Sequence, residues 1–259
     1  MQNIHLNLAE SSRQLFELDP GAAIEAGEGW LFGAGRSSHP AISNAAFRTG
    51  DTDPEELLAR AQDFFGSRGR GFSLWVRGGV PEDSDLIEAA GSAGLKQVFA
   101  TPEMTLRRRA EERPLPEGVE LRQLGTAAEV DDYWRVATSA YADNGFPPEI
   151  FRYYEDHSGL TADNTVALLA YLDGKPVSIA MTIVSHGVAG IYWVGSLAEA
   201  RGRGLGWVVT AAAINAGFDL GAEIASLQAS SMGEPLYRRM GFETFYEYRL
   251  LMRSPPNDA

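Results

Sequence analysis

The sequence predicts a mixed α/β fold built from two similar domains, and three observations lead to this prediction. Strand-like segments and helical segments follow one another along the chain, an order typical of mixed α/β sheets. A charged, proline-containing stretch at 108–118 separates two parts of ordinary domain size. Residues 89–99 and 236–246 share a helix end, a glycine-hydrophobic turn and a strand, 147 positions apart. This internal similarity indicates a duplication.

The predicted domains are residues 1–107 and 119–253, joined by the linker and followed by a disordered tail at 254–259. In the second domain the predicted order is β-α-α-β-β-β-α-β-α-β. Thr126 can cap the first helix, and the turn Asp173-Gly174 marks a hairpin. The predicted strands cover 119–124, 165–172, 177–185, 189–197, 224–229 and 242–252, and the later helices cover 149–157, 205–218 and 234–240.

The first domain repeats this pattern only over its last part. Helices are predicted at 55–65 and 85–93, and strands at 72–76 and 95–106. A glycine-rich stretch at 67–71 resembles a phosphate loop, but it follows a helix and precedes a strand. Because that order leaves no helix N-terminus pointing at it, we predict a simple turn there.

Composition limits the classes of function. The 259 residues carry 22 basic and 35 acidic side chains, and this net charge of −13 disfavours nucleic acids and anionic membranes. The same charge attracts cationic molecules such as amines, although solubility is the preferred explanation of the charge. The chain has no cysteine and only four scattered histidines, so neither disulfides nor a metal site are expected. Without a signal-peptide pattern or a long apolar run, a cytoplasmic protein is expected.

One short loop carries the clearest chemical signal. Residues 201–206 read Arg-Gly-Arg-Gly-Leu-Gly and lie between a predicted strand and a predicted helix. Glycines let a ligand approach the backbone, and the free amides of a helix N-terminus favour an anion such as a pyrophosphate. A P-loop would need Gly-Lys-Ser/Thr where Trp207 stands, and a dinucleotide-binding loop needs G-x-G-x-x-G. The remaining alternative is a glycine-rich surface loop.

A second motif, Leu-Tyr-x-x-x-Gly-Phe, follows at 236–242. Together the two motifs resemble the GNAT (Gcn5-related) N-acetyltransferase family. Its signature is Arg/Gln-x-x-Gly-x-Gly/Ala opening a helix, then L-Y-x-x-x-G-F on a later short helix. The resemblance covers roughly 119–252 and is weaker for 1–107. It implies two tandem GNAT-like acyl-CoA N-acyltransferase domains, a degenerate structural one followed by a catalytic one.

The resemblance also implies acetyl-CoA as the co-substrate. The loop amides would hold the pyrophosphate of acetyl-CoA, and the strand predicted at 189–197 would pair with its pantetheine arm. Gly195 lies where this strand often separates from the next, and Ser231 stands near a position that often carries an asparagine. The implied cofactor-binding residues are Val194, Gly195, Ser196, Leu197, Arg201, Gly202, Arg203, Gly204, Leu205, Gly206 and Ser231.

Tyr237 is the strongest catalytic candidate, because the family's tyrosine at this position protonates the departing thiolate. The alternative role is a tyrosine that only packs in the core. Asp143 and Glu149 flank the break between the first two helices, where the family builds its acceptor site, so each is a candidate base as well as an ordinary surface carboxylate. Tyr192 and Trp193 are predicted to point to opposite sheet faces, so that one of them lines the acceptor pocket.

The first domain is predicted to bind no acetyl-CoA, because its equivalent loop at 48–56 carries four acids and one glycine. The main hypothesis is an N-acetyltransferase acting on a primary amine of a small cationic acceptor. Attack would be direct, in a ternary complex, since the chain has no cysteine to form a covalent intermediate. The alternatives are a non-catalytic acyl-CoA-binding sensor or scaffold, and a donor with a longer acyl chain. Amino-acid, antibiotic, polyamine and protein amines all stay open as acceptors, as does the oligomeric state.

Overall fold

The first part of the chain contains three helices and five strands in this computed structural model, which describes residues 2–40, 42–143, 145–154 and 158–255. The sequence analysis missed the opening helix and the three strands after it. The two helices and two strands predicted for the remainder are present. The elements are α1 (Gln2–Glu17), β1 (Ala23–Gly27), β2 (Trp30–Ala34), β3 (Asn44–Arg48), α2 (Pro54–Gly66), β4 (Phe72–Gly78), α3 (Ser84–Ser92) and β5 (Lys96–Leu106).

The second part has its ten main elements in the predicted order. Its second helix ends at Arg152, earlier than expected, and residues 155–157 of that prediction lie outside the described residues. Residues 256–259 of the predicted tail also lie outside them. The elements are β6 (Val119–Gln123), α4 (Ala127–Ala142), α5 (Glu149–Arg152), β7 (Thr165–Leu172), β8 (Lys175–Ser185), β9 (Val188–Ser196), α6 (Leu205–Asp219), β10 (Ile224–Gln228), α7 (Glu234–Met240) and β11 (Glu243–Arg253).

All eleven strands form one sheet in the order β1-β2-β3-β4-β11-β5-β10-β9-β8-β7-β6. The last strand of each part lies beside the other part's strands. β11 pairs with β4 over residues 247–253, and β5 pairs with β10 over residues 103–106. The two exchanged strands also pair with each other, antiparallel. The mixed α/β fold is thus as predicted, while the domain division at 107 and 119 stays a prediction, because the sheet joins both parts through this exchange.

The helices cover both faces of the sheet. α6 and α7 pack on an apolar cluster that includes Met104, Ile191 and Leu227. α4 and α5 pack on the opposite face, and α1 covers the same face at the junction of the two parts. None of the helices in the described ranges is long and apolar enough to cross a membrane.

The predicted linker is fastened along α6. The amide of Asn215 donates to the Ala110 carbonyl (3.2 Å), and the Ala110 N–H donates back to the Asn215 Oδ1 (2.9 Å). The Trp207 indole N–H donates to the Glu111 carbonyl at 2.8 Å. These bonds hold Arg113 with its guanidinium 3.4 Å from the centre of the Trp207 ring. The linker therefore places a cation beside the N-terminus of α6.

α1 escaped prediction because polar side chains, among them His5 and Asn7, interrupt the apolar residues on its buried face. The Asn7 amide donates to the Ile183 and Val188 carbonyls, at 3.1 and 3.0 Å, and binds α1 to β8 and β9. His5 is buried between the Arg48 carbonyl and the Tyr248 hydroxyl, each 2.9 Å from a ring nitrogen. A carbonyl only accepts, so Nε2 carries the proton and Nδ1 accepts from Tyr248. The neutral imidazole is fully hydrogen-bonded in this position.

Protein stability should depend on His5 in mild acid. Burial, with the nearby Arg77 charge, lowers the pKa of His5 from 6.5 to about 4. Between these values only the unfolded chain binds the extra proton, so the stabilisation is complete above pH 6.5 and is lost as the pH falls toward 4. We expect His5 alone to reduce the free energy of unfolding by about 2 kcal/mol between pH 7 and pH 5.

Urea unfolding at the two pH values tests this expectation. His5→Gln should show a smaller loss in acid than the unsubstituted protein, whereas the exposed control His186→Asn should show the same loss. An unchanged acid loss in His5→Gln would contradict the role assigned to His5.

Candidate active site

A cavity of about 450 Å³ opens between the end of β9, the start of α6 and α7. Most of the predicted cofactor-binding residues line it. Leu197, Arg203 and Ser231 do not, although Ser230 and Met232 beside the last of these do. The predicted residues that line the cavity are Val194, Gly195, Ser196, Arg201, Gly202, Gly204, Leu205, Gly206 and Tyr237.

The glycine loop forms one wall of the cavity. Gly202 and Gly204 have φ values of +77° and +80°, a region that strongly favours glycine, and open space lies where a Cβ would be. Gly204 is the N-cap of α6 and offers no side chain to bond the first turn. The first intrahelical bond runs from the Val208 N–H to the Gly204 carbonyl. The preceding first-turn amides are therefore available to an anion.

The second wall is the open edge of β9. β9 pairs with its parallel neighbour β10 only over 188–190 and 224–226, so the strands separate beyond Gly190. The Leu197 N–H donates to the Val177 carbonyl on β8, and alternate backbone groups of a strand point to opposite edges. The N–H of Ser196 therefore points away from β8, toward the cavity. This arrangement offers backbone hydrogen bonds to an extended ligand.

A β-bulge in β9 lies close to the point where β9 and β10 separate. Two residues of β9, Trp193 and Val194, lie opposite one residue of β8, and Trp193 has a φ of +50°. A bulky residue in this region is strained, and such strain concentrates at functional sites. The bulge also turns Tyr192 and Trp193 toward the same cluster, around α4 and α5. The prediction that they point to opposite faces is therefore wrong, because strict alternation ends at a bulge.

Tyr237 combines a packed ring with a hydroxyl at the cavity. Its ring belongs to the α6 cluster and lies 5.9 Å from the Phe242 ring. A Cβ on Gly233 would come within 2.8 Å of this ring, so the glycine makes room for it. The hydroxyl forms no hydrogen bond with the described residues, and burial raises the pKa of Tyr237. The phenol therefore keeps its proton at physiological pH and can donate it to a group in the cavity.

Positive charge surrounds the same cavity. Arg113, Arg201 and Arg239 line it, and only Arg201 was among the predicted residues. Arg113 was missed because it belongs to the predicted linker, and its position depends on the folded contacts with α6. Arg239 was also missed, although it lies inside the second motif, two residues after Tyr237, and that position could have indicated it.

The two predicted bases lie outside the cavity lining. Asp143 forms an ion pair with Arg201, with 2.6 Å between Oδ2 and Nη2, at the end of α4. Arg201 also donates to the Ser196 carbonyl at 3.2 Å. Asp143 thus positions a loop arginine. Glu149 is exposed in the first turn of α5. Neither the ion pair of Asp143 nor the exposed position of Glu149 favours a role as the catalytic base, and both assignments stay predictions.

The equivalent loop of the first part is closed by its own side chains. Asp53 caps α2 by accepting from the N–H groups of Glu55 and Glu56, both at 3.0 Å. The first turn also starts with Pro54, which has no N–H. This arrangement leaves few free amides for a phosphate, and the absence of acetyl-CoA binding in the first domain stays a prediction. No group of residues suited to a metal ion occurs in the described ranges.

Comparison with known proteins agrees with this geometry. Residues 105–230 match the sequence profile of the family described as "Acetyltransferase (GNAT) domain". Over these residues the chain carries a GNAT acetyltransferase domain. A protein of Pseudarthrobacter chlorophenolicus named mycothiol acetyltransferase is 26% identical over 66% of this chain and 57% of its own length. One of the same name from Thermomonospora curvata is 29% identical over 96% of this chain and 84% of its own length.

The likeness to a tandem GNAT fold extends over both parts of the chain. A tandem GNAT protein from the clavulanic acid biosynthesis pathway aligns with a TM-score of 0.67, covering 96% of each chain at 13% identity. At this identity the likeness concerns the fold alone. The first of the two curated relatives is longer, since this GNAT protein spans 57% of its length.

Proposed function

We propose that this GNAT protein transfers an acetyl group from acetyl-CoA to a primary amine of a small acceptor. The observation that carries the proposal is a single cavity lined by the free amides of α6, the open edge of β9 and the hydroxyl-bearing Tyr237. This set supplies an anion site, a backbone edge and a proton donor together. The fit is supported by Gly202 and Gly204, whose missing side chains leave the cradle open.

In the proposed reaction each wall has one task. The loop amides at 201–206 and the arginines around them bind the pyrophosphate of acetyl-CoA. The N–H groups of β9 beyond the bulge bind its extended arm and polarise the thioester carbonyl. The amine attacks that carbonyl directly, because the chain contains no cysteine to carry the acetyl group. Tyr237 then protonates the sulfur that leaves.

The acceptor is proposed from charge and from the relatives. The net charge of −13 favours a cationic amine over an anionic one. Two relatives are named mycothiol acetyltransferase, so the amine of mycothiol without its acetyl group is the first acceptor to test. Polyamines, amino acids and amine-bearing antibiotics complete the panel.

Calorimetric titration followed by the amine panel tests this function. We expect one equivalent of acetyl-CoA per chain and release of free CoA thiol with at least one amine. Acetyl-CoA binding without turnover on any amine would contradict the proposed enzyme and favour a sensor. Two equivalents would contradict the prediction that the first domain does not bind acetyl-CoA.

A further inference from the structure

A buried carboxylate lies at the centre of the sheet. It is on β5, the strand of the first part that pairs with strands of the second part. Glu103 belongs to β5, has no solvent exposure and lies opposite Gln228 of β10 and Tyr246 of β11. Its neighbour Met104 packs in the α6 cluster, as does Leu227 beside Gln228. Since side chains alternate along a strand, Glu103 and Gln228 lie on the face opposite α6.

The carboxylate of Glu103 is only partly hydrogen-bonded. Gln228 donates from Nε2 to Oε2 at 2.6 Å. The other oxygen, Oε1, is buried without a hydrogen-bond partner among the described residues, and so is the hydroxyl of the adjacent Ser226. An unpaired buried acceptor is costly, and such groups mark sites where a ligand or a proton is received.

Glu103 stands at the point where β9 and β10 separate. The last pair of these strands joins Gly190 to Ser226, and two residues beyond lie Tyr192 and Gln228 on either side of the opening. Both side chains are partly exposed, whereas Glu103 beside them has no solvent exposure. The cavity for acetyl-CoA begins two residues farther along the chain from each of them, at Val194 and Ser230. An acetyl group bound in that cavity would therefore lie close to the row formed by Tyr192, Gln228 and Glu103.

We propose that Glu103 is the base of the reaction and accepts a proton from the acceptor's ammonium group, directly or through one water, on the face opposite α6. This inference rests on the proposed acetyl transfer and names its acceptor side. It also assigns a function to the exchange of β5 and β11, because the first part then supplies the base and the second part binds the acetyl donor. Neither part alone has a complete site.

The proton and bond changes balance without another reactant. Glu103 takes one proton from the ammonium and later releases it to solvent. The free amine forms a C–N bond to the thioester carbon, and the C–S bond breaks. Tyr237 protonates the departing sulfur, the nitrogen loses its second proton to solvent, and the tyrosinate regains one proton from solvent. The products are the acetylated amine, free CoA thiol and one proton.

The surroundings of Glu103 favour proton exchange near neutral pH. Burial raises the pKa of Glu103 to about 8, while the hydrogen bond from the Gln228 amide opposes the rise. The titratable groups that face it are the phenols of Tyr192, Tyr246 and Tyr248, with His5 of α1 behind the last of these. All four are uncharged at neutral pH, because burial raises the pKa of each phenol and lowers that of the imidazole.

The pH dependence of kcat/KM provides the test, measured with two reactive primary amines whose own pKa values differ. In the unsubstituted protein we expect kcat/KM for both amines to rise with pH and level off near pH 8, the pKa of Glu103. Glu103→Gln should lower kcat/KM by roughly 100-fold, and its rise should move to the pKa of each amine. The control Glu243→Gln makes the same charge change at an exposed site on β11 and should behave as the unsubstituted protein.

Each outcome separates this inference from the proposed function. If kcat/KM of the unsubstituted protein rises at the pKa of each amine, the role of Glu103 is overturned. This measurement uses only the unsubstituted protein, so it does not depend on whether a variant folds. A Glu103→Gln variant with unchanged rate and profile overturns it as well. Turnover on none of the amines contradicts the proposed acetyl transfer itself, and the role of Glu103 falls with it.

Discussion

Replacing Gly204 with glutamate is expected to abolish measurable binding of acetyl-CoA. Gly204 has a φ of +80° and is the N-cap of α6, so any side chain strains the loop. A carboxylate there also places negative charge among the amides that the pyrophosphate needs. The two effects together should weaken binding by roughly 100-fold or more. Calorimetric titration with acetyl-CoA measures the loss.

Gly174→Glu is the matched control for this substitution. Gly174 has a φ of +76° with open space around its Cβ position, but it lies in the hairpin between β7 and β8, outside the cavity lining. It therefore carries the same backbone strain and the same charge without the proposed ligand contact. Equal affinities for Gly204→Glu and the unsubstituted protein would contradict the pyrophosphate site. A loss of affinity in both variants would show that strain alone explains the effect.

The local features of the second part were predictable because they depend on near neighbours in sequence. The hairpin at Asp173-Gly174, the cap at Thr126 and the glycine loop at 201–206 each encode their own geometry. The structure shows all three where the sequence analysis expected them. Most of that loop and Tyr237 line the cavity, whereas Arg113 and Arg239, which line it too, were not predicted.

The remaining features depend on contacts between distant residues. The exchange of β5 and β11 depends on which strands pair with each other. The apolar pattern of both strands is the same with any of these partners, so it does not predict the pairing. α1 was missed because its buried positions include His5 and Asn7, whose partners lie on strands far along the chain. Glu103 gave no signal, since a single acid in a strand pattern predicts an exposed position.

Tyr237→Phe is expected to separate turnover from binding. The substitution keeps the ring that packs in the α6 cluster and removes only the hydroxyl, which has no hydrogen-bond partner among the described residues. Stability and affinity for acetyl-CoA should therefore change little. Turnover on the best amine should fall by roughly 100-fold, because the thiolate loses its proton donor.

The matched control is Tyr171→Phe, which removes a hydroxyl that bonds Asp132 outside the cavity lining, at 3.0 Å. It should leave both turnover and acetyl-CoA affinity unchanged. If Tyr237→Phe also leaves turnover unchanged, the hydroxyl is not the proton donor. If no variant consumes acetyl-CoA although all bind it, the cavity serves a sensor. The comparison of the two variants therefore tests whether the Tyr237 hydroxyl is needed for turnover, which only an enzyme shows. Burial raises the pKa of this hydroxyl, so it stays protonated in the assay.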